Sequence, residues 1–149
     1  MVKAKKKPLR SDTSWRTRPL GDELGEALRA ELLGWPEMMI RPMMGTISYF
    51  RGKRFLGCYV NRELVKSKPD WVNRAGEPTY VCVRLRADDA ARAFTRPGLS
   101  QSRLGFAGWV EIPLASRKLL LEAVKWFGRA YENPAATREK KPRRARRQV

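Results

Sequence analysis

Apolar residues return every fourth position between residues 21 and 34, where Leu24, Leu28 and Leu32 line up with Ala27 beside them. That is the period of an amphipathic helix. Asp22, Glu23 and Glu26 put negative charge at its start, where unpaired backbone N–H groups favour it, and Gly34 and Pro36 end it. A clearer stripe runs through Leu119, Leu120, Ala123, Val124, Phe127, Ala130 and Tyr131, with Ser116 as its cap and Asn133-Pro134 as its break. Asp88-Asp89 opens a shorter helix through Phe94 that Pro97-Gly98 terminates.

Between the helices the period drops to two. Residues 44–60 hold two runs rich in aromatic and β-branched side chains around Arg51-Gly52, which predicts a hairpin. With Arg51-Gly52 as a two-residue turn, Phe50 stands opposite Lys53, and Ile47, Leu56, Cys58 and Val60 share one face. Thr46, Ser48, Phe50, Phe55 and Tyr59 then share the other. A third strand over residues 79–86 alternates cleanly, with Val81, Val83 and Leu85 inward and Tyr80, Cys82, Arg84 and Arg86 outward. On this register Cys58 and Cys82 face opposite ways, which opposes a disulfide. Residues 109–112 form a last strand before Pro113.

The intervening stretches are punctuated as loops. Residues 61–78 contain Pro69-Asp70, Asn73, Gly76 and Pro78, with Trp71 to pin the segment down, and residues 98–108 read as a flexible connection. Met38, Met39, Met43 and Met44 cluster densely, and filling irregular core gaps is preferred to an adaptable partner surface. The pattern as a whole predicts an α+β fold over residues 19–133: a two-layer domain, its antiparallel sheet packed against N- and C-terminal helices. A chain of 149 residues is the right size for one such core.

Charge changes the picture at both ends. The chain carries 32 Lys plus Arg against 15 Asp plus Glu and no histidine, a formal net charge of +17. Residues 1–18 hold seven basic residues and one acid, and residues 134–149 again hold seven and one, so the ends supply +12 of the +17. Neither end has an apolar stripe to offset the entropy of ordering it, and both are expected to be disordered arms. Lys3, Lys5, Lys6, Lys7 and Arg10 on the first, and Arg138, Lys140, Lys141, Arg143, Arg144, Arg146 and Arg147 on the second, are candidates for neutralising phosphates of a nucleic acid. A solubilising tail is the plainer alternative.

Chemistry is mostly excluded. Without histidine there is no Ser-His-Asp or Cys-His arrangement and no His-rich metal site. Asp88 and Asp89 are adjacent and so do not face each other on a helix; their place at a helix start explains them as dipole partners. Cys58 and Cys82 lie 24 residues apart without CxxC spacing and read as reduced, passive thiols of a cytoplasmic protein. The glycine-containing segment 98–108 matches no phosphate-binding pattern. Nothing calls for a cofactor, a metal or a catalytic residue. No run approaches the ~20 apolar residues of a membrane span, and the basic start lacks the apolar run of a signal peptide. The outward set Phe50, Phe55, Tyr59, Tyr80, Arg84 and Arg86 is similar to a base-stacking platform, although a helix laid over it would make the aromatics ordinary core.

At Arg41-Pro42-Met43-Met44-Gly45, followed by Phe50-Arg51-Gly52-Lys53-Arg54-Phe55 and Gly57, the chain resembles the TfoX/Sxy N-terminal domain family. That family carries an Arg-x-Met-Phe-Gly-Gly motif before a strand, a turn around glycine and another strand; here Met44 stands for the Phe and Thr46 for the second Gly. The stretch Gly108-Trp109-Val110-Glu111-Ile112-Pro113 and the closing helix with Val124, Trp126, Phe127 and Ala130 also resemble the family's end. The resemblance spans about residues 20–132 and implies a two-layer α+β domain linked to competence regulation, with no catalytic residue to carry over. The expectation is therefore a non-enzymatic, nucleic-acid-associated or regulatory binding protein whose arms hold DNA or RNA nonspecifically. The alternative is a protein-protein adaptor with solubilising basic tails.

Overall fold

The computed structural model describes residues 13–43, 46–61, 79–102 and 107–135. A short 3-10 turn at Thr13–Arg16 leads to helix α1, Glu23–Leu33, which buries Leu28 and Leu32 as its period requires. Asp22 is the N-cap residue but makes no capping bond with its side chain; its carboxylate instead accepts a hydrogen bond from the Tyr59 hydroxyl on the sheet. Among the described residues six strands follow: β1 Met38–Met43, β2 Thr46–Arg51, β3 Arg54–Asn61, β4 Thr79–Arg84, β5 Ser100–Gln101 and β6 Trp109–Pro113. Helix α2, Ala87–Ala93, lies between β4 and β5, and α3, Arg117–Glu132, closes the described chain.

The strands form one antiparallel sheet in the order β1-β2-β3-β4-β6-β5. Leu28 and Leu32 of α1, Ala90 and Ala93 of α2, and Leu120, Ala123, Trp126 and Phe127 of α3 all join one core with Ile47, Tyr49, Tyr59, Val81, Val83, Val110 and Ile112. All three described helices therefore lie on the same sheet face, and the domain is the expected two-layer α+β fold. Ser116 caps α3 by accepting from the Leu119 N–H at 3.2 Å, as predicted. Trp126, absent from the predicted stripe, is core, whereas Val124 is only half-buried.

Strand β1 escaped the sequence reading. Pro42 cannot donate to a ladder and argues against a central strand, but β1 sits at the sheet edge, where one side needs no partner. Of the clustered methionines, Met38 is core and Met39 half-buried. Residues 98–108 are likewise not all connection, since Ser100–Gln101 pairs with β6 as the opposite edge. The predicted loop 61–78, with Trp71, lies outside the described residues apart from Asn61, which ends β3.

The hairpin register differs from expectation in two ways. Arg51 pairs with Arg54, so the turn is Gly52-Lys53, with Gly52 at φ +62°, and Phe50 faces Phe55 instead of Lys53. Moving the turn by one residue displaces the register by two and leaves every face unchanged. A β-bulge then intervenes between Tyr49 and Phe50: Tyr49 pairs with Gly57, and Leu56 is the extra residue. One added residue reverses all faces beyond it. Cys58 and Val60 consequently join Ser48, Phe50 and Phe55, while Tyr59 turns to the helix side with Ile47 and Tyr49.

Candidate nucleic-acid interface

Lys3, Lys5, Lys6, Lys7 and Arg10, and Arg138, Lys140, Lys141, Arg143, Arg144, Arg146 and Arg147, lie outside the described residues. Of the predicted basic site, the fold places Arg84 and Arg86. Arg84 ends β4, half-buried, as the cross-strand partner of Trp109. Arg86 is exposed two residues on, where it is the N-cap residue of α2 and lies 3.9 Å from Asp88.

The face away from the helices carries an aromatic row. Phe50 and Phe55 meet edge-on with centroids 5.5 Å apart, and Phe55 stacks on Trp109 at 5.1 Å and 26°. Both spacings fall in the range aromatic pairs prefer. The Arg41 guanidinium lies over the Phe50 ring at 4.9 Å at one end of the row, and Arg84, on β4, lies between the strands that carry Phe55 and Trp109. Phe55 and Trp109 are half-buried and Phe50 is nearly covered.

Two members of the predicted platform do not belong to it. Tyr59 is on the helix face because of the bulge, and Tyr80, although on the right face, is fully buried. Trp109 and Arg41 take their places. Alternation in 109–113 was enough to separate Trp109 and Glu111 from Val110 and Ile112, so Trp109 was legible; Arg41 was not, because β1 was not recognised as a strand.

Behind the aromatic row the same face becomes a closed cluster of Cys58, Val60, Tyr80 and Cys82, packed by Phe55 and Trp109. Among the described residues that cluster draws only on strands. Cys58 pairs directly with Cys82, and Cys82 with Glu111. The expectation that the two thiols face opposite ways is overturned by the bulge. Both are free and buried, and the Cys82 sulfur lies 3.2 Å from the Ser102 hydroxyl. Its hydrogen bond with the Cys58 thiol, and burial, push the Cys82 thiol well above the usual range.

Asp88 and Asp89 also part company. Asp88 is exposed at the start of α2, whereas Asp89 is fully buried and takes ion pairs from Arg92 and from Arg129, the latter at 2.9 Å. Asp89 is thus a tie between α2 and α3, more than the dipole partner its position suggested. Among the described residues no three His, Cys, Asp or Glu side chains group so as to hold a metal ion. No described helix is long and apolar enough to cross a membrane. The chain matches no family model, no curated protein and no solved structure.

Proposed function

We propose that this protein is a non-enzymatic, cytoplasmic nucleic-acid-associated or regulatory binding protein of the TfoX/Sxy N-terminal domain type. The observation that carries the reading is the charge distribution, with +12 of +17 held by the two ends of the chain. Lysine and arginine runs release condensed counterions when they meet phosphate, a driving force that needs no fold and no base sequence. The folded domain adds a second kind of contact. Phe50, Phe55 and Trp109, with Arg41 over Phe50 and Arg84 on the strand between Phe55 and Trp109, offer π-faces beside cations, the combination on which unpaired bases stack.

A salt titration of the full chain against duplex DNA, single-stranded DNA and RNA tests this. Log affinity should fall linearly with log salt, by roughly −0.9 per duplex phosphate neutralised. If half of the basic residues at the ends engage, the slope is about −6. Absence of salt-dependent binding near physiological ionic strength would reject the proposal in favour of the protein-protein adaptor.

A further inference from the structure

Cys58 and Cys82 are opposite one another in the β3–β4 ladder. Directly paired residues of antiparallel strands have Cα atoms about 4.5 or 5.5 Å apart, depending on whether they exchange hydrogen bonds. Either spacing lies within the roughly 4.4–6.8 Å that a disulfide spans. The two strands also run close here: a Cβ on Gly57, the residue before Cys58, would collide with the Cys82 carbonyl oxygen. Both side chains point to the same face, and each is at most 3% exposed.

That burial selects among the reactions open to a dithiol. Alkylation, glutathionylation or a metalloid adduct adds atoms to a packed cluster of Val60, Tyr80, Phe55 and Trp109. Closing a disulfide adds none and removes two hydrogens. We infer that Cys58 and Cys82 form an oxidation site at which a low-molecular-weight disulfide such as oxidised glutathione converts the pair to an intramolecular cross-strand disulfide. One cysteine sulfur, after losing its proton, attacks the small disulfide and releases one small thiol. The second cysteine, likewise deprotonated, attacks the cysteine sulfur of the mixed disulfide and expels the other. Two protons and two electrons leave the protein, and the S–S bond of the oxidant is reduced to two thiols. Because the Cys82 thiol is buried and hydrogen-bonded, exchange requires the strands to open, and the disulfide is favoured by equilibrium more than by rate.

The test is an equilibrium measurement. Full-length protein is equilibrated in mixtures of reduced and oxidised glutathione, once in native buffer, reached by refolding from reduced and from oxidised material, and once in denaturant. Acid quenching, alkylation and intact-mass analysis then count disulfide, mixed disulfide and free thiol. A pair held in register by the sheet should raise the disulfide formation constant in the native state on the order of a hundredfold over the unfolded chain. A native-to-unfolded ratio below about tenfold would overturn the inference. So would disulfide-linked dimers as the end product. Cys58→Ala and Cys82→Ala should yield only the mixed disulfide or the free thiol; an unalkylatable monomer in either variant without glutathione would show that the mass loss has another origin.

Discussion

The Tyr59 hydroxyl donates to Asp22 Oδ2 at 2.7 Å across 37 residues of sequence, joining the middle of the sheet to the start of α1. Asn61 Nδ2 donates to the same hydroxyl at 3.0 Å and to the Leu20 carbonyl at 3.1 Å. The helix can approach this closely only because residue 25 is glycine, as a Cβ there would lie 2.6 Å from the Tyr59 oxygen. Tyr59→Phe should therefore cost about 1–3 kcal/mol, since it strands an acceptor and a donor while keeping the ring. Urea unfolding midpoints of the two proteins check it, and an unchanged midpoint would show that water replaces the hydroxyl. Burial, then the bond to Asp22, raise the Tyr59 phenol far above its usual 10.0. The raised value favours the neutral form in the folded state, so its contribution is present below the unfolded value and lost as pH rises beyond it.

Gly57→Ala should destabilise by about 1–3 kcal/mol. The new methyl would meet the Cys82 carbonyl, which the β3–β4 ladder holds in place, and the Phe127 ring at 2.8 Å. Near-native stability would mean that the bulge relaxes and takes the strain.

Truncation of the two helices should separate a full core position from a marginal one. Leu28 is 0% exposed, and Leu28→Ala should cost ~2–5 kcal/mol. Val124 is half-buried and packs only against the margin of the core, so Val124→Ala should cost less than half as much. Equal losses in chemical denaturation would contradict this placement of α3.

Glu122 accepts two hydrogen bonds from Arg96, at 2.6 and 3.1 Å, and one from the Trp126 indole at 3.0 Å. The Arg96 bonds first, and the indole less, hold its carboxyl below the usual 4.5. A lowered folded value means that the stabilisation is complete above the unfolded value and disappears as pH falls through the folded one. Glu122→Gln should accordingly lose stability at neutral pH, with the difference shrinking toward zero in acid. Thermal unfolding of both proteins from about pH 7 down to about pH 3 brackets the transition. A gap that persists in acid would assign the effect to packing.

Deleting residues 1–12 and 136–149, which spares the Thr13–Arg16 turn and the Trp15 and Arg18 carbonyls that accept from Arg29, should leave the described strands and helices intact but flatten the salt dependence of nucleic-acid binding. Loss of twelve or so positive charges removes most of the counterion release. Residual binding by the truncated domain should then prefer single strands and fall further in Trp109→Ala. Undiminished affinity and slope after truncation would move the binding surface to Arg84, Arg86 and the rest of the folded domain.

The helices and β4 were legible because their signal is local. Leu24, Leu28 and Leu32 on α1, and Leu120, Ala123 and Phe127 on α3, repeat with the helical period whatever they pack against, and Val81 and Val83 alternate against Tyr80 and Cys82 in any register. Charge is equally local, so the basic ends stood out without a fold. Pairing is not local. Whether Pro42 can sit in a strand depends on β1 lying at the sheet edge, and Asp89 becomes an ion-pair centre only when α3 brings Arg129 beside it. The bulge opposite Tyr49 is the sharpest case: one extra residue in β3 leaves no mark in composition, yet it decides that Cys58 meets Cys82 instead of turning away. Amino-acid pattern specified which segments are helix or strand; only the hydrogen-bond ladder between strands decided which side chains share a face, because a single residue of register exchanges the two.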